Sequence, residues 1–320
     1  MDQIQKFGNS PSMASSKPVF ILGIRHRSGT NLLLDVLVRH PECAAHSDPE
    51  DFLVSRLVDI RKYVETLQKR RRSKQFRTDN RQELTKIIGE GLIGYITKNV
   101  KPDATVQDTA PHRVITKTPT VEGLQYFREV FPDAYLILLI RDGRSVVESA
   151  VKSFGANFDR SCQRYAAAAN NIASFMVTDP NPEKTILIRF EDYIRNKQET
   201  VETLLRFLEL STDSFPFEDL ELMPVRGSSE LKEKNGDAIH WEPVATKTTF
   251  DPTLRHSGWS EFKHSRFEWL AGKAQGKMGY GRSGKNNPLF YIRNVMADIC
   301  VRLDYSAIRG KLRSLVHKAD

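Results

Sequence analysis

Val19-Phe20-Ile21-Leu22-Gly23-Ile24-Arg25-His26-Arg27-Ser28-Gly29-Thr30-Asn31-Leu32-Leu33-Leu34 decides how this chain is read. An apolar run leads into a short, donor-rich loop, and an apolar stretch with helical spacing follows. A strand feeding a small loop that opens a helix is an anion site. Backbone N–H groups and the positive end of the helix dipole converge there. The frame approaches the nucleotide-binding pattern GxxxxGK(S/T), with Gly23 first and Thr30 last. Ser28 stands where the second glycine belongs, and Gly29 where the lysine belongs. The positive charge sits two positions earlier, at Arg27. That displacement argues against an ATP or GTP hydrolase and toward a different phosphate-containing donor. The plain alternative is an ordinary βα turn.

Working outward, three more short apolar runs read as buried strands: Arg113–Thr116, Tyr135–Ile140 and Thr185–Ile188. Continuous rather than alternating hydrophobicity marks strands covered on both faces. Helical patterns lie between them at Leu32–Val38, Thr120–Val130, Val146–Ser153, Ser161–Val177 and Gln198–Leu208. The alternation predicts an α/β fold of three layers, P-loop-like, with a central, mainly parallel sheet flanked by helices. Ligands of such sheets sit beyond the carboxyl ends of the strands, where the Arg27 loop falls.

The strongest strand, Tyr135–Ile140, runs into Arg141-Asp142-Gly143-Arg144, and Ser149 lies eight residues beyond Arg141. An arginine ending a strand clamps phosphate with paired N–H donors, and a serine two turns into the next helix adds a hydroxyl. Read without the first loop, Arg141-Asp142 is a helix-capping ion pair and Ser149 an ordinary helix residue.

Together these two motifs resemble sulfotransferases that use 3'-phosphoadenosine 5'-phosphosulfate (PAPS). The resemblance implies that Arg27, Ser28, Gly29, Thr30 and Asn31 cradle the 5'-phosphosulfate, and that Arg141 and Ser149 hold the 3'-phosphate. Asn31 stands where the family more often has Thr or Ser. Three smaller matches extend the likeness over about Val19 to Tyr280. Lys117-Thr118-Pro119 resembles the family's lysine near the donor's bridging oxygen. Ile186–Tyr193 resembles its Arg-Tyr-Glu-Asp segment, with Phe190 for the tyrosine. Ser257-Gly258-Trp259 and Met278-Gly279-Tyr280 resemble bacterial marks, with Arg255 near a missing arginine; Trp259 and Tyr280 read first as packing residues, with cofactor contact the alternative, carried by Trp259.

Sulfuryl transfer is an in-line attack on sulfur, carried by positioning and charge stabilisation. Arg27 and Lys117 are the candidates to neutralise charge on the departing phosphate. An acceptor hydroxyl needs a base. In tyrosylprotein-type members an acidic residue follows a His-Pro pair. Counting from His40-Pro41 gives Asp48, with Glu50 and His46 as neighbouring candidates. A solvated acidic loop is the bland reading of these three. The eight histidines lack ligand spacing, so catalysis without metal is expected.

The 320 residues suffice for a sizeable core, and 39% apolar with 28% charged is ordinary. A net charge of +8 suggests polyanionic partners. Three scattered cysteines make neither a disulfide framework nor a zinc site, and favour a reducing, cytoplasmic setting. Residues 1–17 read as a disordered leader, 18–285 as the catalytic domain and 286–320 as a basic amphipathic tail. That tail packs as a terminal helix or contacts a membrane peripherally. The basic run Lys69–Lys74 with Arg77 reads as a solvated face, or as a contact for an acidic acceptor, a glycan or a lipid head. The irregular Pro224–Thr253 reads as a lid.

A P-loop kinase is the runner-up and lacks its phosphate-loop lysine. A nucleic-acid-binding protein would explain the charge, but it leaves two phosphate motifs at strand ends unexplained. The expected partners are the donor and a hydroxyl-bearing acceptor (protein tyrosine, glycan, lipid or small molecule), without nucleic acid.

Overall fold

The computed structural model describes residues 17–48, 50, 52–69, 80–100, 113–223, 251–282 and 288–300. The leader up to residue 16, most of the basic run, residues 224–250 of the expected lid and the tail beyond residue 300 lie outside them.

Five strands, Val19–Gly23 (β1), Cys43–Ala45 (β2), Arg113–Thr118 (β3), Tyr135–Ile140 (β4) and Thr185–Arg189 (β5), form one sheet. Their order is β2-β3-β1-β4-β5, and every neighbouring pair is parallel. Around the sheet run α1 (Thr30–Leu37), α2 (Leu57–Lys69), α3 (Arg81–Lys98), α4 (Phe127–Val130), α5 (Gly143–Phe154), α6 (Phe158–Thr178), α7 (Phe190–Arg195), α8 (Lys197–Phe207), α9 (Glu261–Phe267) and α10 (Lys273–Lys277). A last helix covers residues 288–300.

The apolar strands explain the layers. Side chains alternate across a sheet. Phe20, Leu22, Leu136, Leu138 and Ile140 pack on one face with residues of α5, α6, α9 and α10. Val19, Ile21, Tyr135, Ile137 and Leu139 pack on the other with α1, α7 and α8. Both faces are therefore dry, and each fully buried Leu or Ile contributes about 1.5–3 kcal/mol.

Register sets the site. Leu22 pairs with Thr118, Gly23 with Leu139 and Ile140 with Arg189, so four strands end level along one edge. The chain leaves β1 toward β2 and β3 on one side and reaches β4 and β5 on the other. The loop after β1 thus opens at the point where strand order reverses, the crevice where α/β sheets take ligands.

Two local expectations change. The helix expected over Thr120–Val130 shrinks to a 3-10 turn at Leu124–Tyr126 and the single turn of α4. Gly123 stops it from starting earlier: its φ is +82°, and a Cβ there would stand 1.9 Å from the Val54 carbonyl oxygen. The acidic stretch after His40-Pro41 begins as β2, a strand of three residues and too short for a period to show.

Candidate active site

The first loop is tightly folded. Ser28, 1% exposed, accepts the Arg25 N–H on its Oγ at 3.1 Å, and its own N–H reaches the Arg25 carbonyl at 3.2 Å. Arg27 has φ +76°, uncommon for a residue with a side chain, and Gly29 has φ +102°. A Cβ on Gly29 would stand 2.6 Å from the Phe190 ring, so the loop rests on the residue that replaces the family's tyrosine. α1 opens at Thr30, and its first-turn N–H groups, those of Thr30 and Asn31 among them, have no acceptor within the helix.

The second motif folds onto the first. Arg27 Nε and an Arg255 Nη each donate to Ser149 Oγ at 3.0 Å. Arg141, 5% exposed, donates to the Arg27 carbonyl at 2.7 Å and to the Pro252 carbonyl, and its guanidinium stacks 4.3 Å over Phe190. Arg141 Nε is buried and makes no hydrogen bond. Burial, then the charge of Arg255, pushes the Arg141 pKa down to about 9. Arg27 and Arg255 meet at one hydroxyl, and their charges also act on the buried Arg141; these like charges repel one another, and a bound anion would offset that repulsion. Sequence reasoning gave Arg27 to the departing phosphate; its guanidinium instead reaches the Ser149 cluster.

Residues from distant parts of the chain hold this cluster. Asp142 caps α5 by accepting the Arg144 N–H at 2.9 Å. Its own N–H goes to Glu191 Oε1 at 2.9 Å, and Tyr280 holds Glu191 with a 2.6 Å hydrogen bond. Gln275 accepts the Gly143 N–H at 2.9 Å. The Arg-Phe-Glu-Asp and Met-Gly-Tyr marks therefore brace the start of α5. Trp259, read from sequence as a packing residue before a cofactor contact, is 8% exposed in the core and donates its indole N–H to Glu148 at 2.6 Å. It positions the helix that carries Ser149. Ser145 donates to the Thr253 carbonyl at 2.8 Å, which ties segment 251–259 to α5. Glu191 lay within the Arg-Phe-Glu-Asp segment read from sequence, whereas Gln275 and Ser145 carried no sequence signal as site residues.

Lys117 ends β3 and is 3% exposed; its Nζ lies 3.1 Å from Glu50 Oε1. Asp48 is exposed, and its carboxylate accepts a 3.4 Å hydrogen bond from Tyr95. His46 is 2% exposed, with Nδ1 accepting the Asp48 N–H at 3.3 Å and Nε2 lacking a hydrogen-bond partner. Of the three candidate bases, the structure brings Glu50 to Lys117. His40 turns the chain into β2, its ring bridging the Glu42 N–H and the Ser211 carbonyl. Beside the loop lies a cavity of about 320 Å³, lined by Arg25 and His26, by Val146, Val147 and Ala150 of α5, and by Arg164 of α6.

A parallel sheet whose central strand feeds an anion loop, with arginines and a buried lysine at neighbouring strand ends, defines a P-loop-like transferase that handles phosphate-bearing donors. The chain belongs to the sulfotransferase family, which it matches over residues 18–214. Sulfuryl transfer is thereby selected from the three readings that the sequence left open.

Protein-tyrosine sulfotransferase A of Caenorhabditis elegans is 25% identical over 267 residues, 76% of this chain and 68% of that protein. The Danio rerio protein-tyrosine sulfotransferase 1 is 24% identical over 231 residues, 69% and 62% of the two chains. The Drosophila melanogaster protein-tyrosine sulfotransferase is 23% identical over 200 residues, 60% of this chain and 38% of its own length. The match thus spans less than two thirds of the latter two relatives. Among solved structures, the sulfotransferase domain of the Synechococcus PCC 7002 olefin synthase superposes with a TM-score of 0.48 at 17% identity, over 85% of this chain and 98% of that one.

Proposed function

We propose that this chain moves a sulfuryl group from PAPS to a hydroxyl acceptor. The Arg27–Asn31 loop takes the donor's 5'-phosphosulfate, and the cluster of Arg141, Ser149 and Arg255 takes its 3'-phosphate. The observation that carries this reading is the convergence of Arg27 and Arg255 on Ser149 Oγ, at 3.0 Å each, beside the buried Arg141 Nε that lacks a partner. A second phosphate on the donor explains why one site needs so much positive charge.

Bound PAPS would supply the sulfuryl group that an acceptor oxygen takes in line. The chain's own residues do the rest. First-turn N–H groups of α1 and the loop backbone hold the phosphosulfate end. Lys117 Nζ carries the positive charge at the end of β3 and stabilises the oxygen that leaves. Glu50 takes the acceptor's proton on Oε1, the atom that Lys117 holds at 3.1 Å. The cavity beside Arg25 and His26 offers apolar walls from α5 to the body of the acceptor. Its size suits a ring, and the relatives named for protein tyrosine make a phenolic hydroxyl the first acceptor to try.

The test has two parts. Adenosine 3',5'-bisphosphate without metal is expected to raise the melting temperature, by about 2.7 kcal/mol of stability at ~100 times its dissociation constant. Sulfur-labelled PAPS is then offered with phenols, a tyrosine peptide, a glycan and an alcohol, and label is expected on a phenol. Equal stabilisation by magnesium ATP would overturn the donor assignment.

A further inference from the structure

The helix at residues 288–300 reverses the usual amphipathic arrangement, in which the apolar face turns inward. Its inward face combines Phe290, packed on Phe262, with buried polar contacts. Asn294 is 2% exposed, donates to Ser265 Oγ at 3.1 Å and accepts Arg266 on its carbonyl at 3.2 Å. One turn on, Asp298 accepts Arg266 at 2.7 Å and the Trp269 indole N–H at 2.9 Å. The opposite face is apolar and meets water. Ile292, Met296 and Ile299 are 58%, 55% and 43% exposed, and Leu289 is 67% exposed. At 3.6 residues per turn these four side chains fall within about 80° of arc. Trp269 and Tyr291 flank the stripe with rings 5.3 Å apart, 40% and 61% exposed. Single exposed apolar residues are ordinary, but a continuous stripe marks a contact surface.

Charge selects the occupant. Residues 281–320 hold eight Lys and Arg against three Asp, so this segment supplies more than half of the chain's net charge of +8. Like net charge on two copies of this segment opposes their association. An anionic lipid surface attracts them, and flanking Trp and Tyr suit the level of the headgroups. Among the described residues no helix is long and apolar enough to cross a membrane. We propose that this helix docks the protein on an anionic lipid surface, with the Ile292–Met296–Ile299 stripe lying at the boundary between headgroups and acyl chains.

Flotation of the full chain with vesicles tests this. Binding is expected to phosphatidylcholine mixed with phosphatidylglycerol, weak binding to phosphatidylcholine alone, and several-fold loss when salt is raised. The double variant Ile292→Ser/Met296→Ser alters exposed side chains that take no part in the Ser149 cluster. It is expected to bind at least ~10-fold more weakly, the share of two apolar groups withdrawn from lipid. Its melting shift with adenosine 3',5'-bisphosphate is expected to match the parent's, which separates lipid docking from fold and donor site. Equal vesicle binding by parent and variant would show charge alone at work and overturn the proposal. So would absence of binding to the mixed vesicles, or a parent dimer in sedimentation that the variant loses.

Discussion

Lys117 and Glu50 form an ion pair of 3.1 Å in which the lysine side chain is 2% exposed and the glutamate 24%. The lysine comes from the end of β3 and the glutamate from the segment after β2, the neighbouring strand. On the proposed reading, the Glu50 carboxylate beside Lys117 is the group that takes the acceptor's proton. Glu50→Gln is expected to cut turnover by ~10²–10⁴ while adenosine 3',5'-bisphosphate binds as before. Asp48→Asn, on an exposed residue, is expected to change turnover little. Steady-state kinetics on both variants decides, and the opposite ranking would return the role to Asp48.

The 3'-phosphate assignment predicts a difference between two ligands. Arg141→Ala and Ser149→Ala are each expected to weaken adenosine 3',5'-bisphosphate much more than adenosine 5'-phosphosulfate, which lacks the 3'-phosphate. Loss of a charge-assisted contact costs about 1.5–3 kcal/mol, and calorimetric titration reads it directly. Equal losses for the two ligands would remove Arg141 from that role.

Thiol reactivity follows burial. Cys43 is 3% exposed, and burial pushes its thiol up to about 12; Cys162 is fully buried and raised further. Cys300 is exposed. An aromatic disulfide reagent at mildly alkaline pH is expected to titrate one thiol quickly in the native protein and all three after unfolding. A fast second native thiol would contradict the packing around Cys43 or Cys162.

His256, 9% exposed and within 3.2 Å of Ser145 Oγ, has its pKa lowered by burial. Well above its ordinary value of about 6.5 the imidazole is neutral in both folded and unfolded chains and contributes no pH dependence. As pH falls below that value the unfolded chain binds a proton that the folded one refuses, so stability drops. The melting temperature is expected to fall between pH 7 and pH 5, and His256→Gln to flatten that slope. An unchanged slope would place the titration elsewhere.

Much of the donor side was legible because it is local. The loop Gly23–Asn31, the strand Tyr135–Ile140 and the Arg141-to-Ser149 spacing are each set by consecutive residues, and each stands in the structure with the expected neighbours. The surroundings of the three candidate bases were less legible. Counting from His40-Pro41 measures distance along the chain and puts Asp48 first, with Glu50 and His46 beside it, whereas contact with Lys117 is made in space, by Glu50 from the segment after β2.

Short, continuous apolar runs separated by helical patterns were enough to determine a mainly parallel α/β sheet, because buried strands tolerate few polar side chains. The Arg27 loop was enough to determine a tight, donor-rich turn between the first strand and the first helix. What only the tertiary structure decided lies between segments far apart in sequence. Register levels the ends of β1, β3, β4 and β5, and the return of residues 251–280 brings Arg255 to Ser149, Gln275 to Gly143 and Tyr280 to Glu191. The last helix shows the same division. Its period was readable, but which side faces the protein shows only in the contacts of Asn294 and Asp298 with Arg266 and of Phe290 with Phe262. Hydrophobic pattern acts through neighbours in the chain, whereas hydrogen bonds and ion pairs act through neighbours in space, and only the folded chain brings those together.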